Sequence, residues 1–137
     1  MRSAAREAAY KVIFSYLFTG EWDSDFKTKM YLESKLLDED VAFADAIIEY
    51  LHRNYNTLID EIAGLSKGYK IDRIYPADKA AMLLAISEMN AFGDIPGAVT
   101  INEAVGLAGK FSTENSLSFV NGILGSYYAK MKEGKKQ

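Results

Sequence analysis

The sequence predicts an all-α protein, a single-domain helical bundle of about seven helices over residues 1–137, in two packed halves of about 1–67 and 76–137. Three observations carry this reading. Apolar residues recur at three- and four-residue spacing almost throughout, the period of an amphipathic helix. No run alternates with the two-residue period of a half-buried strand. A chain of 137 residues with 49% hydrophobic composition buries roughly 68% of its unfolded surface, so it needs no disulfide or metal to fold.

Each element follows from local signals. Ser3 is the expected N-cap of a first helix reaching about Phe18, with Ala5, Ala8, Ala9, Val12 and Tyr16 on one face and Thr19-Gly20 at its end. A second helix is expected from about Ser24 to Leu36, burying Phe26, Met30 and Leu37 or its neighbours. Asp38-Glu39-Asp40 places negative charge at the start of a third helix, where the helix dipole favours it; Val41, Ala44, Ile47, Ile48 and Leu51 form its buried face. Asn54-Tyr55-Asn56-Thr57 reads as a break, with Asn56 or Thr57 capping a fourth helix through Leu58, Ile59, Ile62 and Leu65, its end weakened by Gly64 and Gly68.

Lys67 to Ile74 reads as the loop between the halves. Pro76 opens a fifth helix, since its missing N–H would have no helical partner there. Ala80, Ala81, Leu84, Ala85 and Met89 line that helix, which stops near Phe92-Gly93. Gly93-Asp94-Ile95-Pro96-Gly97 is the densest turn signal. Thr100-x-x-Glu103 reads as a capping box, the threonine oxygen accepting from a backbone N–H and the glutamate reaching back. After a polar loop over 112–115, Ser116 is the expected start of a last helix carrying Phe119, Val120, Ile123, Leu124 and Tyr127.

The net charge of −3 hides an asymmetry. Residues 1–20 carry +2, residues 126–137 carry +3 through Lys130, Lys132, Lys135 and Lys136, and the stretch between carries −8. Two basic ends on one face would make a local patch for a polyanion; the alternative is a solubilising tail. The absence of cysteine removes disulfides, thiolate zinc sites and a cysteine nucleophile, and suits a reducing cytoplasm. The N-terminal residues lack a signal peptide's apolar core, and no apolar run approaches the ~20 residues that span a bilayer. A soluble, cytoplasmic protein with no membrane partner is expected.

Catalytic patterns are missing. His52 is the only histidine, without a second ligand for zinc. Gly106 to Phe111 only superficially suggests a phosphate loop: its glycines are too close, and Phe111 stands where a magnesium-binding hydroxyl belongs. No catalysis, no cofactor and no metal is expected. What remains is binding chemistry. Arg2, Arg6 and Tyr10 stand at i, i+4, i+8 on the first helix, with Ile13 and Phe14 beyond. Guanidinium groups followed by rings suit single-stranded RNA; a solvated edge beside a core face is the alternative.

The specific part of the sequence is Asp94 to Leu124: Asp94-Ile95-Pro96, Thr100-Ile101-Asn102-Glu103-Ala104-Val105, Leu107-Ala108, Phe111, Ser116 and Phe119-Val120-Asn121-Gly122-Ile123-Leu124. With Ala5-Arg6-Glu7-Ala8-Ala9, it resembles the NusB family of bacterial transcription antitermination factors. The resemblance implies binding of boxA-type single-stranded RNA together with a small-subunit ribosomal protein, NusE, and entry into an RNA polymerase antitermination complex, notably in ribosomal RNA transcription. It implies RNA contacts at Arg6, with Arg2 as a second arginine, and at Phe14. It implies a second RNA region at the start of the last helix, through Asn115, Ser118 and Phe119. Phe119 is equally explained as a core aromatic.

The resemblance also implies a partner-facing side on the fifth helix: Asp78, with Tyr75 and Met82 as neighbours. Asp78 is also explained as a charge near a helix N-terminus. Asn121-Gly122 matches the family's Asn-Gly pair and reads as structural, the glycine permitting close helix approach. The chain departs from the family in its few N-terminal arginines, in Leu83-Leu84 where a Leu-Arg pair is frequent, in Ser118 at a position that can be basic and in Asn115 at one that can be acidic. Two alternatives stay open: a protein-interaction module with weak or no RNA binding, and a detached NusB-like domain of a ribosomal RNA methyltransferase. Homodimer formation through apolar surface also stays open.

Overall fold

The computed structural model describes residues 2–67 and 70–136. The described chain forms α1 (Arg2–Thr19), α2 (Ser24–Glu33), α3 (Asp38–Leu65), a 3₁₀ turn (Ile71–Arg73), α4 (Pro76–Ala91), α5 (Gly97–Phe111) and α6 (Glu114–Lys136). No strand occurs among the described residues, so the all-α expectation holds. Gly68, expected to weaken a helix end, lies outside the described residues, as do the side chains of Lys135 and Lys136.

Six α-helices replace about seven because the expected third and fourth are one element. α3 runs through the Asn54-to-Thr57 stretch but kinks at Asn54, whose φ of −122° and ψ of 17° leave the helical region. The Asn54 side-chain amide donates to the Tyr50 carbonyl (2.9 Å), so a side chain enters the i→i−4 ladder, a recognised cause of a kink. Other boundaries move as well. Asp23 caps α2 by accepting from the N–H groups of Asp25 and Phe26 (both 3.0 Å). α2 stops at Glu33; of Leu37 and its neighbours, Leu37 is exposed while Leu36 is half-buried and packs on the core. Gly20 ends α1 with φ +74°, where a side chain would be strained.

α4 is the axis of the fold. Nearly all of it is buried, Ala80 to Met89 without interruption, as expected of a helix apolar all round. It packs against α1, α3, α5 and α6. Within this sheath lies a buried charge cluster. The Arg6 guanidinium donates through Nε to Glu88 Oε1 (2.7 Å) and through Nη2 to Glu88 Oε2 (2.8 Å). Thr100 Oγ1 donates to Glu88 Oε2 (2.6 Å), and Ser3 Oγ donates to Glu103 Oε1 (2.8 Å). Glu103 Oε1 lies 3.5 Å from Arg6 Nη1. The Arg2 and Arg6 guanidinium carbons lie 4.9 and 5.3 Å from the centroid of one ring, Phe43 of α3.

This cluster overturns two expected caps. Ser3 lies inside α1, and its hydroxyl reaches α5. Thr100 lies one turn inside α5, which starts at Gly97. Its hydroxyl serves Glu88 of another helix, so no Thr100–Glu103 capping box forms. The glycine assignment also changes. An added Cβ on Gly97 would overlap the Tyr128 ring, so close approach is needed there. Gly122 is exposed, and an added Cβ would meet nothing within 4 Å; it does not serve helix packing.

Removing one partner of a buried ion pair strands the other charge. Glu88→Ala is expected to cost about 3–5 kcal/mol, read as a fall in the urea midpoint at unchanged m; a loss below about 1 kcal/mol would mean the pair is not the anchor described. Gly122→Ala is expected to stabilise the fold by about 0.5–1 kcal/mol in the same assay, since the helix gains the alanine preference without a clash.

Candidate nucleic-acid interface

The residues around the start of α4 build a groove against the start of α6. Tyr75 holds the N-cap position with φ −55° and ψ 137°, and Pro76 follows at the first helical position. Tyr75 therefore stands out from the helix, 60% exposed, while Ile74 behind it is buried. Arg73, Ile74, Tyr75 and Asp78 form one side of a cleft of about 360 Å³; Thr113, Asn115, Ser116 and Phe119 form the other. A second cleft of about 370 Å³ lies between Phe14 and Phe18 of α1, Tyr75 to Ala77, and Phe111 to Thr113. Both are lined by Tyr75 and Thr113, so the two adjoin there and are taken together as the groove.

The groove is held by polar contacts beneath it. Ser116 Oγ donates to Asp78 Oδ2 (2.8 Å) and lies 2.9 Å from Ser112 Oγ and 3.2 Å from Thr113 Oγ1. Asp78 is buried, and its other oxygen, Oδ1, has no hydrogen-bond partner. Tyr10 is buried and donates from its hydroxyl to the Ala77 carbonyl (2.9 Å). Burial, aided by the Asp78 charge, pushes the Tyr10 phenol up to about 12. The Tyr10 ring stacks on Phe111 at 5.3 Å, and Phe14 meets Phe18 at 5.0 Å. Phe18 and Phe111 remain 67% and 42% exposed.

The structure gathers some expected site residues and separates others. Phe14, Asn115 and Phe119 come together in the groove with Tyr75 and Asp78, so part of the expected RNA set and part of the expected partner set share one surface. Ser118 is exposed on α6 but does not line it. Arg6 is only 4% exposed and committed to Glu88, Tyr10 is buried, and Met82 is fully buried. None of these three presents its side chain to a ligand. Asp78 meets the groove only as part of its floor.

The expected surface stripe fails for a geometric reason. An i, i+4 row rotates about 40° per step around a helix of 3.6 residues per turn. Arg2, Arg6, Tyr10, Phe14 and Phe18 therefore drift into the core and out again: exposed, buried, buried, half-buried and exposed. Arg2 and Phe119 accordingly lie near opposite ends of α4. Arg2 faces Phe43, which stacks on Phe92 at the C-cap of α4, while Phe119 lies in the groove at its start. The three-residue cradle of Arg2, Arg6 and Phe119 does not form.

The two basic ends share an end of α4 but not a face. Arg6 meets Glu88 and Tyr127 meets Asn90 (2.8 Å), both in the last turn of α4, and positions two apart point to opposite sides of a helix. Lys132 lies 5.2 Å from the Tyr128 ring centroid, on the ring that covers Gly97. Sequence reading missed Arg73, Phe18, Phe111 and Thr113 as groove residues. Phe18 was within reach, as the next step of the i, i+4 row; Arg73 lay in a segment legible only as a loop.

This arrangement, together with similarity to known proteins, settles the family. The model described as NusB family matches residues 3–129. The chain belongs to the NusB family. It is 34% identical over 126 residues to the transcription antitermination protein NusB of Natranaerobius thermophilus, covering 90% of this chain and 91% of that one. The Clostridium botulinum (strain Loch Maree / Type A3) protein of the same name is 32% identical over 136 residues, covering 90% and 96%. The structure of T. maritima NusB superposes with a TM-score of 0.84 at 29% identity, over 92% of this chain and 89% of that one. A chain from the crystal structure of antitermination factors NusB and NusE in complex with dsRNA gives a TM-score of 0.84 at 21% identity, over 94% and 96%; it shares the fold. No helix among the described residues of this NusB-family chain is long and apolar enough to cross a membrane.

Two buried phenols give the fold a pH signature. Tyr10 and Tyr127 are both raised to about 12, chiefly by burial. The folded form thus holds these protons more tightly than the unfolded chain, whose tyrosines titrate near 10. Their contribution to stability is full below about pH 10 and is lost as pH rises through about 12. Denaturant midpoints measured across that window are expected to fall, and Tyr10→Phe is expected to make the fall shallower.

Proposed function

We propose that this chain is a transcription antitermination factor that binds boxA-type single-stranded RNA with the small-subunit ribosomal protein NusE and joins an RNA polymerase complex in the cytoplasm. It works as one folded unit, by binding and assembly, without turnover, cofactor or metal. The observation that carries this reading is the match to the NusB family over residues 3–129, with relatives named as antitermination proteins over 90% of the chain. The groove adds chemical support: exposed rings at Tyr75, Phe18 and Phe111 beside Asn115 and Phe119 suit unpaired bases. Tyr75 serves both surfaces, and Asp78 and Met82 support the partner side from beneath.

One observation favours a second reading, in which RNA affinity depends on the protein partner. Arg6 is withdrawn into the core, leaving Arg2, Lys11, Lys130 and Lys132 as described basic groups of the two end segments, Lys11 beside Glu7.

Capture of a boxA-type RNA with and without NusE tests both readings. Retention is expected to be strongest with both proteins present, and affinity is expected to fall with salt at a log–log slope of roughly −1.4 to −2, that of two or three phosphate contacts on a single strand. Phe119→Ala is expected to weaken RNA binding by about 1–3 kcal/mol, the value of one base stack. RNA lost from the chain under every condition would refute the assignment.

A further inference from the structure

We propose that a cleft on the α1–α3 side of the molecule seats an arginine side chain from a basic segment of a protein partner. The cleft measures about 300 Å³. Its lining comes from α1, α2, α3 and the turn between α1 and α2, and from no residue of α4, α5 or α6. It is therefore separate from the groove at the start of α4, and the proposal does not depend on the RNA reading. Buried Val12 and Ile48 give the cleft an apolar floor. Half-buried Trp22, in the turn, stacks on Tyr16 of α1 (4.0 Å between ring centroids) and on His52 of α3 (5.5 Å). These rings hold the turn against both helices and give the cleft an aromatic wall.

Asp23, Asp45 and Glu49 line the same cleft. Two of these carboxylates are each fixed by one oxygen. Asp23 Oδ1 caps α2, and Asp45 Oδ1 accepts from Lys27 Nζ (3.0 Å) and from the Tyr31 hydroxyl (2.8 Å). Among the described residues, Oδ2 of each takes no hydrogen bond. Glu49 pairs with Arg53 one turn along α3, an exposed pair of the kind that contributes little and exchanges readily. A guanidinium fits this set better than an ammonium: its flat face lies on a ring, its N–H fork meets carboxylates in plane, and it is the more weakly hydrated cation. Its methylene stem covers the apolar floor. The surrounding charge sets the class of partner. Residues 21–65 carry eleven carboxylates against four basic side chains, a net of −7, which repels a nucleic acid and steers a basic chain toward the cleft. That charge extends over α2 and α3, far beyond one side chain, so an extended basic segment meets more of it than a free cation does.

Trp22 is the only tryptophan, so the intrinsic fluorescence of the full chain reports on this cleft directly. The probe is a blocked Gly-Arg-Gly-Arg-Gly peptide, with its citrulline counterpart as the uncharged match. A saturable change in emission is expected with the arginine peptide and none with the citrulline peptide. Asp23→Asn removes the charge but keeps a side chain that caps α2 as well; it is expected to weaken binding about two- to fivefold, the value of one exposed ion pair. Arg53→Ala, which releases Glu49, is expected to tighten binding. Asp60→Asn removes the same charge about two turns of α3 beyond His52 and is expected to change nothing. Equal weakening by Asp60→Asn and Asp23→Asn overturns the seat and leaves only diffuse attraction. So does binding seen by anisotropy of a labelled peptide while Trp22 emission stays unmoved. Spermidine that matches the arginine peptide in emission change and affinity overturns it in favour of a small polycation. A boxA-type RNA that alone produces the same emission change overturns it in favour of nucleic acid.

Discussion

The Arg6–Glu88 pair is the constraint on which the rest of the structure depends. A guanidinium and a carboxylate buried in an apolar core are each costly alone, and their mutual attraction offsets that cost only when the remaining donors and acceptors are satisfied. Here the fork is met at both carboxylate oxygens, and Glu88 takes a third bond from Thr100. Glu103 lies within ion-pair range, and the Phe43 ring lies within cation–π distance. These partners come from α1, α3, α4 and α5. Apolar faces alone tolerate sliding of one helix on another; a charge with one set of partners does not.

Fixing α1 at Arg6 fixes what its far end can do. Tyr10, one turn on, anchors to the Ala77 carbonyl, so α1 is tied to both ends of α4 and runs against it in the opposite direction. Phe14 and Phe18 are thereby delivered to Tyr75 and Phe111. The arginine belongs to the interface indirectly: it sets the register of the helix whose aromatic end lines the groove. Arg6→Ala would therefore weaken RNA binding through the fold, and a loss of binding in that variant would not identify a phosphate contact. Arg73 and Tyr75, both exposed, are free of that ambiguity.

Local signals were legible in the sequence, and contacts between helices were not. Gly20 and Pro76 mark helix ends because glycine freedom and the missing proline N–H act within a few residues. The Asn54 region was correctly seen as irregular, yet whether it breaks or bends the helix depends on packing across its length, and here the helix bends. Thr100-x-x-Glu103 has the spacing of a capping box, but a buried carboxylate on α4 competes for the threonine hydroxyl and wins. The same limit governs the site. Family resemblance placed Arg6 at a position associated with RNA, but its burial is decided by Glu88, 82 residues away, and no helical period reveals it. Phe14, Asn115 and Phe119 were named through the family resemblance; Arg73 was not, because a 3₁₀ turn of three residues leaves no periodic trace.

The distribution of charge then separates two tasks along α4. At its C-terminal end lie Arg2, against Phe43, and the lysines that follow Tyr127, charge suited to attracting a polyanion at a distance but carrying little information about bases. At its N-terminal end the groove offers rings, amide and hydroxyl groups, chemistry that distinguishes one surface from another at contact. α4 spans about 24 Å at 1.5 Å per residue, well beyond the Debye length of about 8 Å at physiological salt. Exposed Gly122 and Gly125, whose added Cβ atoms would meet nothing in the fold, weaken α6 without serving its packing.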